Sequence, residues 1–388
     1  MGTDVSAEPS VDRHAGRAMS APPRLVFLDN LRAMAIVLVV VLHASITYMA
    51  FAPEWWYVLD PRRSLLLTAI VLLLDVPLMP ALFFVAGYFA LPSLQRRGTG
   101  GFIREKVVRL GIPWVVGVVF LAPLATYMIY VSRDVPTGYL EFWKTDFWGP
   151  MFQQSVYWFL GVLFAGFLVL AWMWGSDTER LRASEPRPEG PGARVFLAVV
   201  AATAAWSILV GRRYGLDDWQ HLGWLFVIQP ARVAFYVGYF ALGVYAERRA
   251  WFGAAGYRPD PGPWGWGCVV SGIVYLAFRF AGNPTSFGER AVAAALFAAF
   301  CLMAVIAGIA LLQRVAEGAN PAWRTLASNA YGIYYVHPLI LYPLAYLLLD
   351  LDAPALVKVT VLVVVTLGAS LVVSAFVLRR LPGLRRVF

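Results

Sequence analysis

The sequence predicts an all-α polytopic membrane protein of about ten transmembrane helices, with both termini cytoplasmic. Three observations predict it. Of 388 residues, 60% are hydrophobic and only 14% charged, where soluble domains carry about 25% charge; mean hydropathy is +0.65. The apolar residues fall in runs long enough to cross a bilayer as helices, about 20 residues each. The Lys and Arg residues cluster between those runs on alternate sides. With the amino terminus inside, the inside segments collect roughly three times as many as the outside loops. The net charge of +9 is then that of loops facing the anionic cytoplasmic leaflet of a plasma (bacterial inner) membrane, and it implies no nucleic-acid partner.

Residues 1–24 are polar and read as a disordered cytoplasmic tail. The run that follows contains Asp29 and Arg32 and lacks a small-residue cleavage site, so it does not read as a signal peptide. Residues 25–378 then form one transmembrane domain. The first span runs from about Leu31 to Phe51, and the second from about Leu65 to Leu91, with Asp75, Pro77 and Pro80 inside it. A basic stretch, Arg96 to Arg109, separates it from the third, about Leu110 to Val131. The fourth covers about Val156 to Trp174, and a Pro-, Glu- and Arg-rich linker, Gly175 to Arg194, leads to the fifth, about Val195 to Val210. The sixth, about Leu222 to Tyr245, holds Gln229, Pro230 and Arg232 internally. The remaining four are about Trp264 to Phe280, Ala291 to Leu312, Ala327 to Leu349 and Ala355 to Leu378, and residues 379–388 form a basic cytoplasmic tail. No internal or inverted repeat is visible.

The candidate chemistry starts in DNLRAMAIVLVVVLH, Asp29 to His43. Eleven residues on a helix return to within about 20° of the starting direction, so Arg32 and His43 share a face about 16 Å apart along the axis, with Asp29 close to it. Ionisable groups at membrane depth are costly and are functional candidates by default. Of four histidines, only His43 and His337 lie inside spans. Each sits about ten residues into a span entering from the cytoplasm, so both rings reach one depth and can meet around one cavity. A buried neutral imidazole there can act as a general base; the plainer reading of either ring alone is a histidine satisfied by bonds across helices. In ASNAYGIYYVHPL, Tyr331, Tyr334 and His337 share a helix face, and Pro338 can kink the helix and free carbonyls beside His337. Unpaired, Asp75 and Arg232 would each be very costly within spans. They are expected to contact each other, Asp29 or a ligand, a purely structural ion pair being the alternative. Arg104 and Arg109 anchor the inside face and can also hold phosphates. Cys268 and Cys301 stand in apolar runs without metal-ligand spacing and read as packing residues. No P-loop, GxGxxG, GxSxG or HExxH pattern is present.

Several separated stretches resemble the acyltransferase family 3 membrane proteins. LDNLRAMAIVLVVVLH is similar to the family's first helix, with Arg32 and His43 in its Arg, ten residues, His pattern. LMPALFFVAGYF resembles its second-helix segment through Phe83, Phe84 and Gly87, with Ala86 where Ser is common. REKVVRLGIPW, VYWFLGVLF and SNAYGIYYVHP resemble its basic, fourth-span and late-histidine motifs, with Ala330 where Ser often precedes the tyrosine. The resemblance runs from about Leu25 to Leu378 and is greatest to the glucan biosynthesis branch. It implies an integral membrane O-acyltransferase that moves an acetyl- or succinyl-type group from acyl-CoA (acetyl-CoA or succinyl-CoA) to a saccharide or glycosylated acceptor, with no bound cofactor and no metal. It implies His43 as base or acyl carrier, Arg32 as donor-orienting or oxyanion-stabilising group, Arg104 and Arg109 at the donor's phosphates, and Tyr334 and His337 lining the cavity. The outer-loop aromatics Trp55, Trp56, Tyr57, Trp143, Trp148 and Trp219 suit sugar stacking and suit an interfacial belt equally. The competing class is a secondary transporter with an intramembrane polar site, which an inverted repeat would favour.

Overall fold

The computed structural model describes residues 25–175, 190–253, 256–282, 284–315 and 320–388. The expected amino-terminal tail and most of the linker after the fourth span lie outside the described residues. In chain order the helices are α1 (Val26–Ile46), α2 (Leu65–Leu74), α3 (Leu78–Tyr88), α4 (Ala90–Val131), α5 (Tyr139–Thr145), α6 (Trp158–Trp174), α7 (Ala193–Val210), α8 (Val233–Arg248), α9 (Pro261–Phe280), α10 (Phe287–Val315), α11 (Pro321–Leu347) and α12 (Ala355–Val373). Between α7 and α8 stands an antiparallel hairpin, β1 (Gln220–Leu222) with β2 (Phe226–Ile228), in which His221 pairs with Val227.

Sequence chemistry sets many of the element boundaries. Ser64 caps α2 by accepting the Leu67 N–H at 3.3 Å, and Asp260 and Asn320 cap α9 and α11, each followed by proline at the first helical position. The second span is not one helix. Asp75 ends α2 and α3 begins at Leu78, because Pro77 and Pro80 cannot donate to the preceding turn. The basic stretch after it, in contrast, is largely helical: α4 kinks at Gly98, whose φ of +68° is left-handed, and then runs on as helix into the third span, with π turns at Val107–Gly111 and Gly117–Leu121 next to Pro113 and Pro123. The sixth span starts eleven residues later than the apolar run suggests. Phe226 to Ile228 pair as a strand, Pro230 opens a single 3-10 turn, and Arg232 stands just before α8 and not inside it.

Among the described residues, seven helical stretches are long and apolar enough to cross a membrane: Val26–Ile46, Leu65–Tyr88, Ala90–Val131, Ser155–Trp174, Ala193–Val210, Phe287–Val315 and Ala355–Leu378. Among the described residues α8, α9 and α11, at three further expected spans, do not reach that mark. α8 has 16 residues, short of the about 20 a span needs. α9 opens with a run of Gly and Pro, and α11 holds Asn, Tyr, His and two internal prolines.

α1 is the centre of the bundle. It packs against α2, α3, α10, α11 and α12, and as a surrounded helix it is apolar on all sides away from its ends. α3 and α8 form the closest pair. Added Cβ atoms at Gly87 and Gly243 would lie 2.0 Å from the Phe240 carbonyl and 2.1 Å from the Phe84 carbonyl, so the two backbones meet through hydrogen alone. This is how small residues bring helices together when lipid supplies no hydrophobic drive.

Candidate active site

The central helix delivers His43 to a cavity of about 480 Å³ at the end of the bundle where α1 finishes. Its wall combines the loop after α1 (Trp55, Trp56, Tyr57), residues before α6 (Gln153, Gln154, Ser155), the stretch from Asp217 to His221, and Tyr342 of α11. The aromatic rings form a connected set. Trp56 lies 5.7 Å from the His43 ring and 5.7 Å from Tyr342, and Tyr342 stacks on Tyr57 at 4.0 Å. Of the aromatics expected at an outer surface, Trp55, Trp56, Tyr57 and Trp219 line this cavity, whereas Trp143 and Trp148 do not.

His43 and His337 meet. His43 Nδ1 is 3.0 Å from His337 Nε2 across 294 residues of chain. The rings lie within 12° of one plane with centroids 5.2 Å apart, so they join edge to edge through the nitrogens. His337 is fully buried, and its Nδ1 is 2.7 Å from the Tyr334 carbonyl oxygen. A carbonyl only accepts, so neutral His337 carries its proton on Nδ1 and offers Nε2 as an acceptor. His43 is then the donor through Nδ1, and its Nε2 keeps a lone pair. His43 is the member of the pair that touches the cavity. The expectation that Tyr334 and His337 line the cavity is corrected: both stand behind His43, and the Tyr334 hydroxyl is buried donating to the Val156 carbonyl.

Arg32 pairs with Asp29 at 3.2 Å, one turn away on the same helix. It does not line the cavity, and eleven residues of helix set its backbone about 16 Å from that of His43. That separation does not fit an oxyanion-stabilising role at His43. At the same end of the bundle, Tyr331 donates to the Arg109 carbonyl at 2.6 Å. Around Glu105 stand Arg97 at 3.7 Å, Lys106 at 2.9 Å and Arg109 at 3.6 Å. Three cations about one carboxylate leave a net positive patch, next to which Arg104 is exposed.

The expected contact between Asp75 and Arg232 is present at 2.7 Å. It extends into a network, because Arg232 also bonds Asp217 and Arg279 reaches Asp217 at 2.7 Å. The Asp217 side chain is half exposed; the desolvation it meets among its neighbours pushes its carboxyl up, but the Arg232 and Arg279 guanidinium groups outweigh this and hold the acid down at about 2. The network ties the Asp217–His221 wall of the cavity to α8 and α9, which makes it a framework for the site. A second ion pair went unseen in the sequence. Lys358 of α12 binds Asp60 at 2.8 Å with both side chains essentially inaccessible, and Asp60 also accepts the Arg62 N–H at 2.7 Å. This pair fixes the loop that carries Trp55, Trp56 and Tyr57. The signal was available: Lys358 is the one cation inside the apolar run Ala355 to Leu378. The polar wall residues Gln153, Gln154, Asp218 and His221 had no comparable signal.

The comparisons with known proteins agree on one family. A family model for the acyltransferase family 3, described as an acyltransferase domain, matches residues 25–377. Curated relatives include glucans biosynthesis protein C of Salmonella paratyphi A and of Salmonella agona, each 25% identical over 249 residues. That match covers 58% of this chain and spans only 58% of the length of those relatives. No solved structure matches.

Proposed function

Because this chain belongs to acyltransferase family 3 and is a multi-pass membrane acyltransferase, we propose that it is an inner-membrane O-acyltransferase. Its donor is a cytoplasmic acyl-CoA of the acetyl or succinyl type, and its acceptor is a hydroxyl of a saccharide or glycosylated molecule entering from the outside. The observation that carries this reading is the His43–His337 pair, buried on one side and open to an aromatic- and amide-lined cavity on the other. In the proposed reaction His43 Nε2 takes the proton of the acceptor hydroxyl. The oxygen attacks the thioester carbonyl, the carbon–sulfur bond breaks, and the leaving thiolate receives the proton back from His43. His337, held by Tyr334, accepts from His43 Nδ1 and orients the ring as it becomes charged.

Ten spans with both termini inside, a single transmembrane domain over residues 25–378, and a donor site at the opposite end of α1 complete the reading. That end holds Arg32, Asp29, Tyr331, Arg104 and Arg109, and its positive patch suits a phosphate-bearing donor. The family resemblance to glucans biosynthesis protein C supports a saccharide acceptor, and the stacked aromatic wall suits sugar rings. The first measurement is thermal stabilisation of the purified protein by acetyl-CoA and succinyl-CoA, for wild type and Arg32→Ala. Donor at a hundredfold excess over its dissociation constant should stabilise by about 2.7 kcal/mol, and Arg32→Ala should lose the shift. His43→Ala should fold, bind donor and transfer nothing; full transfer by that variant would refute the mechanism.

A further inference from the structure

We propose that Pro338 is a positioning residue that sets the tautomers of the His337–His43 pair, an inference that rests on the reading of His43 as the base. In an α-helix the carbonyl of residue i accepts the N–H of residue i+4. For Tyr334 that partner is residue 338, and proline has no N–H. Its ring also crowds the same carbonyl and turns it off the helix axis. The released oxygen is the one that receives His337 Nδ1 at 2.7 Å.

The same release recurs around the bundle, and the comparison isolates what is different here. Pro113 frees the Arg109 carbonyl, which takes the Tyr331 hydroxyl at 2.6 Å. Pro123 frees the Val119 carbonyl, which takes Trp143 Nε1 at 3.2 Å. Pro80 leaves the Val76 carbonyl to the Cys301 thiol at 3.7 Å. Neighbouring side chains commonly re-satisfy carbonyls freed by proline in membrane helices. In those three places the donor has only one site for its proton, so the bond satisfies the carbonyl and does nothing more. At Tyr334 the donor is an imidazole with two sites. An oxygen that can only accept selects the Nδ1–H form of His337, which makes Nε2 an acceptor. His43 Nδ1, 3.0 Å away, must then hold its own proton, and His43 Nε2 is left basic on the ring that touches the cavity. One missing backbone N–H therefore fixes two tautomers and places the free lone pair. In Pro338→Ala the restored N–H competes for the Tyr334 carbonyl and straightens the turn. His337 can then take the Nε2–H form, which directs a proton at His43 Nδ1 and drives the His43 proton to Nε2, where the base is lost.

The test is nitrogen-15 NMR of histidine-labelled full-length protein in lipid bilayers at neutral pH. The chain has four histidines, and the His337 and His43 signals are assigned by their loss in His337→Gln and His43→Gln. Wild type should show both rings neutral with the proton on Nδ1. Pro338→Ala should show mixed or Nε2–H forms at His337, and acyl transfer should fall about tenfold or more in kcat with the acceptor KM unchanged. A wild-type His337 protonated on Nε2 overturns the proposal even if Pro338→Ala does not fold, as does a Pro338→Ala spectrum with both tautomers unaltered. Nδ1–H on both rings in a protein that transfers no acyl group supports the tautomer assignment and removes the base reading alone.

Discussion

At the scale of single residues, the site depends on which nitrogen of each imidazole is free, and His337 matters through what it offers His43. Removing the ring leaves His43 Nδ1 without an acceptor in a buried setting, so His337→Ala should lower kcat by about a hundredfold. His337→Gln keeps an amide oxygen able to accept from His43 Nδ1, and should retain at least about ten times the activity of the alanine variant. Equal activity of the two variants in an acyl-transfer assay would show that the contact does not orient His43. Both histidines were legible in the sequence, because imidazoles are rare inside apolar runs and these two share a depth. The direction of their hydrogen bond was not legible. It depends on a carbonyl, and backbone oxygens are the same at every residue.

At the scale of elements, proline and buried charge decide where helices break and where loops are held. Prolines 77, 80, 113, 123 and 338 interrupt α-helical hydrogen bonding, and the carbonyls freed by Pro80, Pro113 and Pro123 find side-chain donors on other helices. Each such bond couples two elements distant in sequence. The Asp60–Lys358 pair does the same with charge. Lys358→Met leaves the Asp60 carboxylate buried without its cation and should destabilise the protein by about 3–5 kcal/mol. The double variant Asp60→Asn with Lys358→Met should recover more than half of that loss, measured by unfolding in detergent. No recovery would mean that Lys358 stabilises through its contact with the Leu349 carbonyl, at 3.0 Å, and not through the pair. The sixth span shows the opposite case. Its apolar run reads as helix from Leu222, but β-branched and aromatic residues at Phe226 to Ile228 and the proline at 230 turn it into a hairpin that forms one side of the cavity.

At the scale of the whole molecule, the two ends of α1 have different chemistry: charge at Asp29 and Arg32, and an imidazole in an aromatic cavity at His43. The proposed orientation puts the first inside and the second outside. With Cys268 and Cys301 replaced by alanine, Lys144→Cys should react with an impermeant maleimide in intact cells, and Arg104→Cys only after permeabilisation. The reverse pattern would turn the protein over and place the donor patch on the wrong side of the membrane.

The sequence by itself determined the membrane class, the stripe of α1 that carries Asp29, Arg32 and His43, and the family motifs, because these depend on composition and on spacing within one helix. It also anticipated that Asp75 and Arg232 would each find a partner, in each other, Asp29 or a ligand, since a lone charge in an apolar setting is too costly to leave unpaired, and the structure pairs them with each other. Only the tertiary structure decided that the two histidines bond to each other, that Asp217 joins the Arg232 network, and that Asp60 receives Lys358. Those contacts join segments up to 298 residues apart, and no local pattern specifies which of many apolar helices become neighbours. The make-up of the cavity wall was likewise invisible in the sequence, since it is assembled from loops and helix ends that share no spacing until the bundle closes around α1.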